Sequence, residues 1–441
     1  MASTYLTRTP SSAGNTNIWT WSAWIKRSGI SSTQFLMGSS TSASDFEDIR
    51  IDSEDQINYV RYLTTKQWGY NTANRLRDTS GWYHLCINRS GTTMKCFING
   101  VLATKENETT STATGDFNTT DELRIGGRPD SSHTFDGLMS HVYFIDGTAY
   151  DADTFGETDA TTGEWKINTA PSVTYGTNGF LILKDGNTIT DQSSNSNNFT
   201  LGAGTLTNTE DCPSDVFATL NPLQTPTSNT PTYSNGNTTS ITSTTSGAYR
   251  WGGATTLGMT KGKFYCEAKA TVDGTYSRNV LGVTGDASEL ARGNSSVYGA
   301  NYSSGWYSDD GGVKLNGSAA YTASTYTTGD ILSIAIDLDN LKLYYAKGGT
   351  WQNSGVPTSG ATGTGALTLT AVASTPDGAY FFCQTDDTGT TSPSKFEFNF
   401  GNGYFGTTAI SSEGTNASSI GKFEYDVPTG YTALSTKGLN A

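Results

Sequence analysis

The sequence predicts an all-β protein built from two antiparallel β-sandwiches, and three observations predict it. Apolar residues recur with period two along most of the chain, helical periodicity is scarce, and Gly, Asn, Asp and Ser clusters punctuate the alternating runs. The composition agrees. About a sixth of the 441 residues are threonine and 50 are glycine, while strong helix formers are few. Aromatics at 11% against charged residues at 15% indicate a globular chain, and the length allows two or three domains.

The strands follow in order. In IWTWSAWI, Trp19, Trp21, Ala23 and Ile25 fall on one face. The segments flanking Asn88-Arg89-Ser90-Gly91 form a hairpin around that turn. KFYCEAKA sets Phe264, Cys266 and Ala268 opposite Tyr265, Glu267 and Lys269. In ILSIAIDL, Leu332, Ile334, Ile336 and Leu338 share a face, and in KFEFNF Phe396, Phe398 and Phe400 do. One face of each strand is expected to pack inward and the other to meet water. Residues 205–245 carry Pro213, Pro222, Pro226 and Pro231 among many Thr, Ser and Asn, and read as an irregular connector anchored by Val216–Leu220. Residues 407–441 combine a Ser/Thr/Gly-rich stretch with a last strand-like piece, KFEYDVPTGYTAL. No exact internal repeat links the halves, so the sandwiches are of different kinds.

The net charge is −14, and the acid excess is even: 15 basic and 22 acidic residues in 1–205, 12 and 19 in 206–441. Neither half offers the cationic surface that nucleic acid requires, so no nucleic-acid partner is expected. No segment has the apolar length to span a bilayer, and the N-terminus lacks the apolar core of a signal peptide, so no membrane insertion is expected. The expected location is the cytosol, or a particle assembled there. Cys86, Cys96, Cys212, Cys266 and Cys383 show no CxxC pair and no metal-ligand spacing. A Cys86–Cys96 bridge across the hairpin is conceivable; buried free thiols are the favoured reading.

The densest carboxylate run is DFEDIRIDSED, with Glu47, Asp48, Asp52, Glu54 and Asp55. Alternation puts Glu47 and Asp48 on opposite strand faces, unlike the paired carboxylates of a retaining glycosidase. These residues read as solvated rim charges; the run could also ligate Ca²⁺, though no cofactor is favoured. His84, His133 and His141 are too far apart in sequence for a metal pair, and His84 reads as a hydrogen-bonded core residue. Asp337, Asp339 and Asn340 read as a strand end and hairpin start. No nucleophile-elbow, zincin or P-loop motif is present, so neither catalytic nor metal residues are assigned. Aromatic rings near loops can stack on sugars. Trp68 in TKQWGYN, Trp306 and Tyr307 in GWYSDDGG, and Trp351 in GGTWQNSG are the candidate ligand-binding residues; core or strand packing is the favoured reading for Trp306 and Tyr307 and an equal one for Trp68 and Trp351.

Three segments, WTWSAWIKRS, GWYHLCINRSGTTMKCFING and ELRIGGRPDSSHTFDGLMSHVYFIDGTAYDADTFGE, resemble the laminin-G-like, concanavalin A-like family of jelly-roll sandwiches. The match includes Trp82, His84, Asn99 and Gly100 around a hairpin, and the Phe135-Asp136-Gly137 turn. GKFYCEAKA, GDILSIAIDLDNLKLYYAKGGTW and FEFNFGN resemble a SPRY domain. The resemblances imply a concanavalin A-like sandwich over 1–204, a connector over 205–245, a SPRY-like sandwich over 246–406, and a C-terminal segment, 407–441, packing back on the latter. YLTRTPSSAG, FIDGTAYDADTFGE, DVFATLNPL and DVPTGYTAL together resemble a family of tailed-phage virion proteins. That resemblance implies a non-enzymatic virion surface protein: a tail fibre, tail appendage or head decoration assembled in the host cytoplasm. Its implied partners are other virion proteins, host surface glycans and further copies of the chain, a trimer being one arrangement. A receptor-binding protein with a specific glycan pocket is the alternative, and a polysaccharide depolymerase is disfavoured.

Overall fold

The computed structural model describes residues 4–441 apart from 185, 187, 225, 227–228, 244–248, 273–277, 293–295 and 388–392. The fold is all-β. The described helical elements are short, such as the single turn Ala287–Ala291, which Asp286 caps by accepting a hydrogen bond from the Glu289 N–H. The chain divides into two compact units, Met1–Asn208 with Cys212–Ser214, and Thr209–Asp211 with Asp215–Ala441.

The first unit pairs two antiparallel sheets. The larger runs, in spatial order, Lys105–Thr109, Thr65–Arg75, Gln56–Leu63, Asp45–Ile51, Gln34–Ser42, Leu123–Ile125, Tyr5–Arg8, Thr200–Ala203. The smaller runs Phe180–Ile182, Gly137–Asp146, Ile18–Arg27, Tyr83–Ser90, Thr93–Ile98, Val101–Leu102. Trp19, Trp21, Ala23 and Ile25 meet Ile49, Ile51, Tyr59, Trp68 and Tyr70 between the sheets. Trp19 lies edge-on to Phe117 and stacks with Phe144, geometries that add to the burial of the rings. Cys86 and Cys96 are both free thiols. Cys96 faces this core while Cys86 faces away from it, because Cys86 opposes Phe97 and Ile87 opposes Cys96 across the hairpin.

The second unit also pairs two sheets. Its larger sheet runs Thr232–Ser234, Thr239–Ile241, Ser394–Asn399, Lys263–Val272, Ile331–Asp337, Lys342–Lys347, Thr350–Trp351; Leu367–Thr368 and Thr432–Ala433 attach beside this path. Its smaller sheet runs Arg250–Ala254, Phe381–Asp386, Asn279–Thr284, Ser303–Tyr307, Gly312–Leu315, Ser318–Thr322. Phe264, Cys266, Ala268, Leu332, Ile334, Ile336, Phe396, Phe398 and Phe400 all point between them.

Two expectations change here. The segment 205–245, expected as an irregular connector anchored by Val216–Leu220, supplies strands of the second unit. Phe217, Ala218 and Leu220 are buried in the second unit, and Thr232–Ser234 with Thr239–Ile241 extend its larger sheet beyond Ser394–Asn399. The prolines fall outside these strands, which leaves the Thr- and Ser-rich run free to donate ladder hydrogen bonds. The boundary expected at residues 245 and 246 lies outside the described residues. Second, the face of Lys263–Val272 expected to meet water is buried: Tyr265 is 1% exposed and Glu267 0%. The C-terminal segment covers it, with Phe423, Val427 and Tyr431 packed on Tyr265, Ala335 and Tyr344.

Candidate functional site: the outer face of the eight-stranded sheet

Each sheet has an inner face, shared with its partner sheet, and an outer face. Three of the four outer faces carry an apolar layer from the same unit. Ala152, Phe155 and Trp165 cover the smaller sheet of the first unit around Phe97, Tyr143 and Leu181. Phe423, Val427 and Tyr431 cover the larger sheet of the second, and Ala287, Leu290 and Val297 cover its smaller one around Trp251, Val280 and Cys383. Among the described residues no apolar cluster covers the outer face of the eight-stranded sheet.

Register arranges that face as a grid. Phe35, Arg50, Asn58 and Asn71 form one cross-strand row. Gly38, Asp48, Val60 and Gly69 form the next, and Ser40, Phe46, Tyr62 and Lys66 the third. Phe46 and Tyr62 stack at 5.2 Å with their planes 6° apart. The two glycines leave the middle row low, and basic side chains fill the space above them. A Cβ at Gly38 would collide with Arg128, and one at Gly69 with Lys66. Arg128 reaches in from the turn after Leu123–Ile125, lies 3.8 Å from the Phe46 ring centroid, and donates from Nη1 to Asp48 Oδ2 at 2.8 Å. Arg50 Nη1 approaches the same oxygen at 3.4 Å. Asn58 Nδ2 donates to Asn71 Oδ1, whose own amide donates to Asp52 Oδ2 and Gln56 Oε1. Asp48 Oδ1 and Asn58 Oδ1 are buried and have no hydrogen-bond partner among the described residues.

Burial pushes the Asp48 carboxyl up to about 6, against the pull of Arg50 and Arg128. Burial, reinforced by Arg50, pushes the Lys66 ammonium down. The face therefore joins a half-buried tyrosine, side-chain amides and three cations around one desolvated carboxylate. Aromatic stacking with fixed polar donors is what a sugar ring requires.

The residues singled out by sequence lie elsewhere. Trp68 is 1% exposed, because Thr65–Arg75 is a strand and its alternation turns Trp68 and Tyr70 into the core. Arg89 covers its ring at 4.4 Å and its Nε1 donates to the Ala113 carbonyl. Trp306 is fully buried, edge-on to Tyr326, with Nε1 donating to the Ser324 carbonyl. Tyr307 is 5% exposed and stacks on Tyr298 at 4.6 Å. These three rings have no free face for a ligand; they pack the fold. Trp351 keeps a half-buried ring, edge-on to Tyr265 and Tyr344. The structure does not bring the four together as one site.

The carboxylate run is a solvated rim only in part: Glu54 is exposed and pairs with Arg75, and Asp52 is half-buried, whereas Glu47, Asp48 and Asp55 are buried. Glu47 and Asp48 are both 0% exposed, on opposite faces as alternation requires. Glu47 points inward and accepts hydrogen bonds from the Tyr59 hydroxyl and from the Asp116 and Phe117 amides. Asp55 accepts from Arg27, Arg77 and the Ser31 amide, and Asp52 caps its turn by accepting from Glu54 and Gln56. Among the described residues no group of three His, Cys, Asp or Glu side chains is placed to hold a metal ion. His84 is buried between Trp24 and Trp165. Trp165 Nε1, a pure donor, contacts His84 Nδ1, so the ring proton sits on Nε2 facing Ser22 Oγ, and burial lowers the pKa to about 3. A cleft lined by Arg8, Ser39, Asp116, Asn118 and Asn178 has room for about one water molecule, far too little for a sugar ring.

The signal that could have found the grid was present in DFEDIRI and QINYVRYL, where polar and aromatic residues alternate opposite the Ile49, Ile51, Ile57 and Tyr59 core face.

Residues 2–153 match the Laminin_G_3 family model, described as the concanavalin A-like lectin/glucanases superfamily. The first unit thus contains a concanavalin A-like lectin/glucanase domain. No curated protein matches the chain. Among solved structures, the SPRY domain of human HERC1 aligns at 15% identity and TM-score 0.27, covering 36% of this chain and 86% of that one. A putative carbohydrate binding protein from Bacteroides ovatus aligns at 15% and 0.27, covering 47% and 61%. Domain 4 of the arabinanase AbnA from Geobacillus stearothermophilus, solved with arabinotriose, aligns at 15% and 0.26, covering 31% and 64%.

Proposed function

We propose that this chain is a non-catalytic adhesion and structural protein of a virion surface, which presents a glycan-binding sandwich outward. The observation that carries the glycan part is the outer face of the eight-stranded sheet, which no apolar layer covers among the described residues and which is furnished with Tyr62, Asn58, Asn71 and Arg50. The family match over residues 2–153 supports it. The particle part is supported by the likeness of YLTRTPSSAG, FIDGTAYDADTFGE, DVFATLNPL and DVPTGYTAL to tailed-phage virion proteins. A non-catalytic role suits the site: Glu47 is engaged by three donors on the core side and Asp48 by two arginines on the other.

A single shallow face binds a sugar weakly, so firm attachment needs many copies side by side, which a particle supplies. The partners on this reading are other virion proteins, further copies of the chain and host surface glycans. Binding of the full chain, displayed multivalently, to a panel of host polysaccharides tests the glycan part; Tyr62→Ala should abolish retention. Absence of retention on every glycan, or retention indifferent to Tyr62, overturns it. Reducing-sugar release from any of them overturns the non-catalytic part, and failure to locate the chain in a particle by imaging overturns the virion part.

A further inference from the structure

The outer face gathers three cations, Arg50, Lys66 and Arg128, around the buried Asp48, with Asp130 and Asp52 beside them. Its three cations are not equally engaged. Arg128 holds Asp48 at 2.8 Å and Asp130 at 2.7 Å and lies against Phe46. Arg50 reaches Asp48 at only 3.4 Å, on the oxygen Arg128 already holds. Most of its five N–H groups therefore have no acceptor among the described residues. Lys66 pairs with no carboxylate among the described residues. Burial and Arg50 both work against its charge. An exposed lysine near an arginine, neither fully paired with a carboxylate among the described residues, leaves N–H donors and positive charge for an anion to meet. Tyr62 shares a row with Lys66 and Phe46, and Arg50 lies two rows along, opposite Asn58.

We propose that this face selects a sugar unit bearing a carboxylate, a uronate within an acidic polysaccharide. Arg50 supplies a planar fork to the carboxylate, Lys66 supplies a second charge, and Tyr62 supports the ring while Asn58 and Asn71 meet hydroxyls. A guanidinium matches a planar carboxylate with two parallel hydrogen bonds, which an ammonium cannot do. The proposal rests on the glycan-binding reading above and names the class of glycan.

The test compares retention of the full chain on polygalacturonate with retention on the same polymer fully methyl-esterified, which keeps the backbone and removes the charge. At least a tenfold preference for the acid form is expected at low salt, weakening as salt shortens the Debye length. Lys66→Gln and Arg50→Gln should each abolish the preference. Arg50→Lys, which keeps the charge and loses the fork, should reduce it at least threefold, with thermal unfolding confirming each variant is folded. Equal retention on both polymers overturns the proposal and leaves the glycan reading standing. Retention on neither, and on no neutral polysaccharide, overturns both. Equal retention on dextran sulfate and polygalacturonate, or an Arg50→Lys variant that behaves as the parent, overturns the carboxylate fork in favour of charge alone.

Discussion

The two units solve the same problem with opposite economies. Both are antiparallel sandwiches with aromatic-rich cores. In the second, both outer sheet faces are closed by its own chain. Glu267 anchors the closure by accepting from the Glu424 and Tyr425 amides at 2.8 Å, the Tyr265 hydroxyl at 3.0 Å and the Asn399 amide at 3.3 Å. In the first, the outer face of the eight-stranded sheet carries charged and amide side chains under the turn 128–133, and among the described residues no apolar cluster covers it. What a strand carries at its outward positions decides which happens. Tyr265, Ala335 and Tyr344 invite a covering layer; Asp48, Arg50 and Asn58 do not.

The largest effect should come from stripping the second unit of residues 209–245. A chain of residues 209–441 should unfold cooperatively, whereas one beginning at residue 246 should not. The shorter chain loses the strands Thr232–Ser234 and Thr239–Ile241 and the buried Phe217, Ala218 and Leu220. Deleting one buried phenylalanine side chain alone costs about 3–5 kcal/mol. Thermal melts followed by near-ultraviolet dichroism distinguish the two, and equal cooperativity would mean that these segments lie on the fold without supporting it.

The same contrast explains what the sequence revealed. Period-two alternation identified the inward faces at Trp19 to Ile25, Leu332 to Leu338 and Phe396 to Phe400, because apolar side chains report burial directly. It could not tell an outward face that meets water from one that meets another segment of the same chain. Tyr265 and Glu267 look alike in either setting, and their cover arrives from Glu424 and Tyr425, more than 150 positions later. Trp68 and Trp306 stand as ligand candidates for a related reason: neighbouring Gly, Asn and Asp suggest loops, yet cross-strand pairing of Arg61 with Trp68 and of Leu281 with Trp306 keeps both on strands, as the packing reading expects. Glu47 and Asp48 look like surface charges because their partners, Phe117 and Arg128, come from distant turns. The grid itself needs register across four strands, which no single segment encodes.

Acid should separate the units next. In the second, burial raises Glu267 to about 7, and Asp386 and Asp387 also rise. The native state then keeps protons that the unfolded chain releases, so stability falls as pH rises from about 4.5 to 7. Glu267 contributes up to about 3 kcal/mol, at roughly 1.4 kcal/mol per pKa unit. In the first unit Asp48 and Asp116 act with the same sign, but His84 opposes them. Its pKa is lowered to about 3, so below about 6.5 the unfolded chain gains a proton that the native ring refuses, and stability is lost as pH falls. Acidifying from pH 7 to 5 should raise the unfolding transition of both units, that of the first by less than its raised carboxyls alone would give. His84→Gln should steepen the rise of the first unit. A first-unit slope unchanged by His84→Gln would show that His84 is not held neutral.

The smallest effect is the most diagnostic of what each unit's charges are for. Lys66→Gln removes a cation that burial and Arg50 both disfavour, so the fold loses no ion pair. The unfolding free energy should shift by less than about 0.5 kcal/mol, toward greater stability if it shifts at all. Glu267→Gln in the second unit makes the opposite case. It replaces one acceptor oxygen by an N–H that faces the Glu424 or Tyr425 amide, leaving buried donors unsatisfied at a cost of about 1–3 kcal/mol. Chemical denaturation of the full chain measures both. The expected outcome is that Glu267 holds a covering segment in place while Lys66 holds nothing of its own chain. A loss above about 1 kcal/mol for Lys66→Gln would place the lysine in the architecture of the sheet and remove the reason to reserve that face for a ligand.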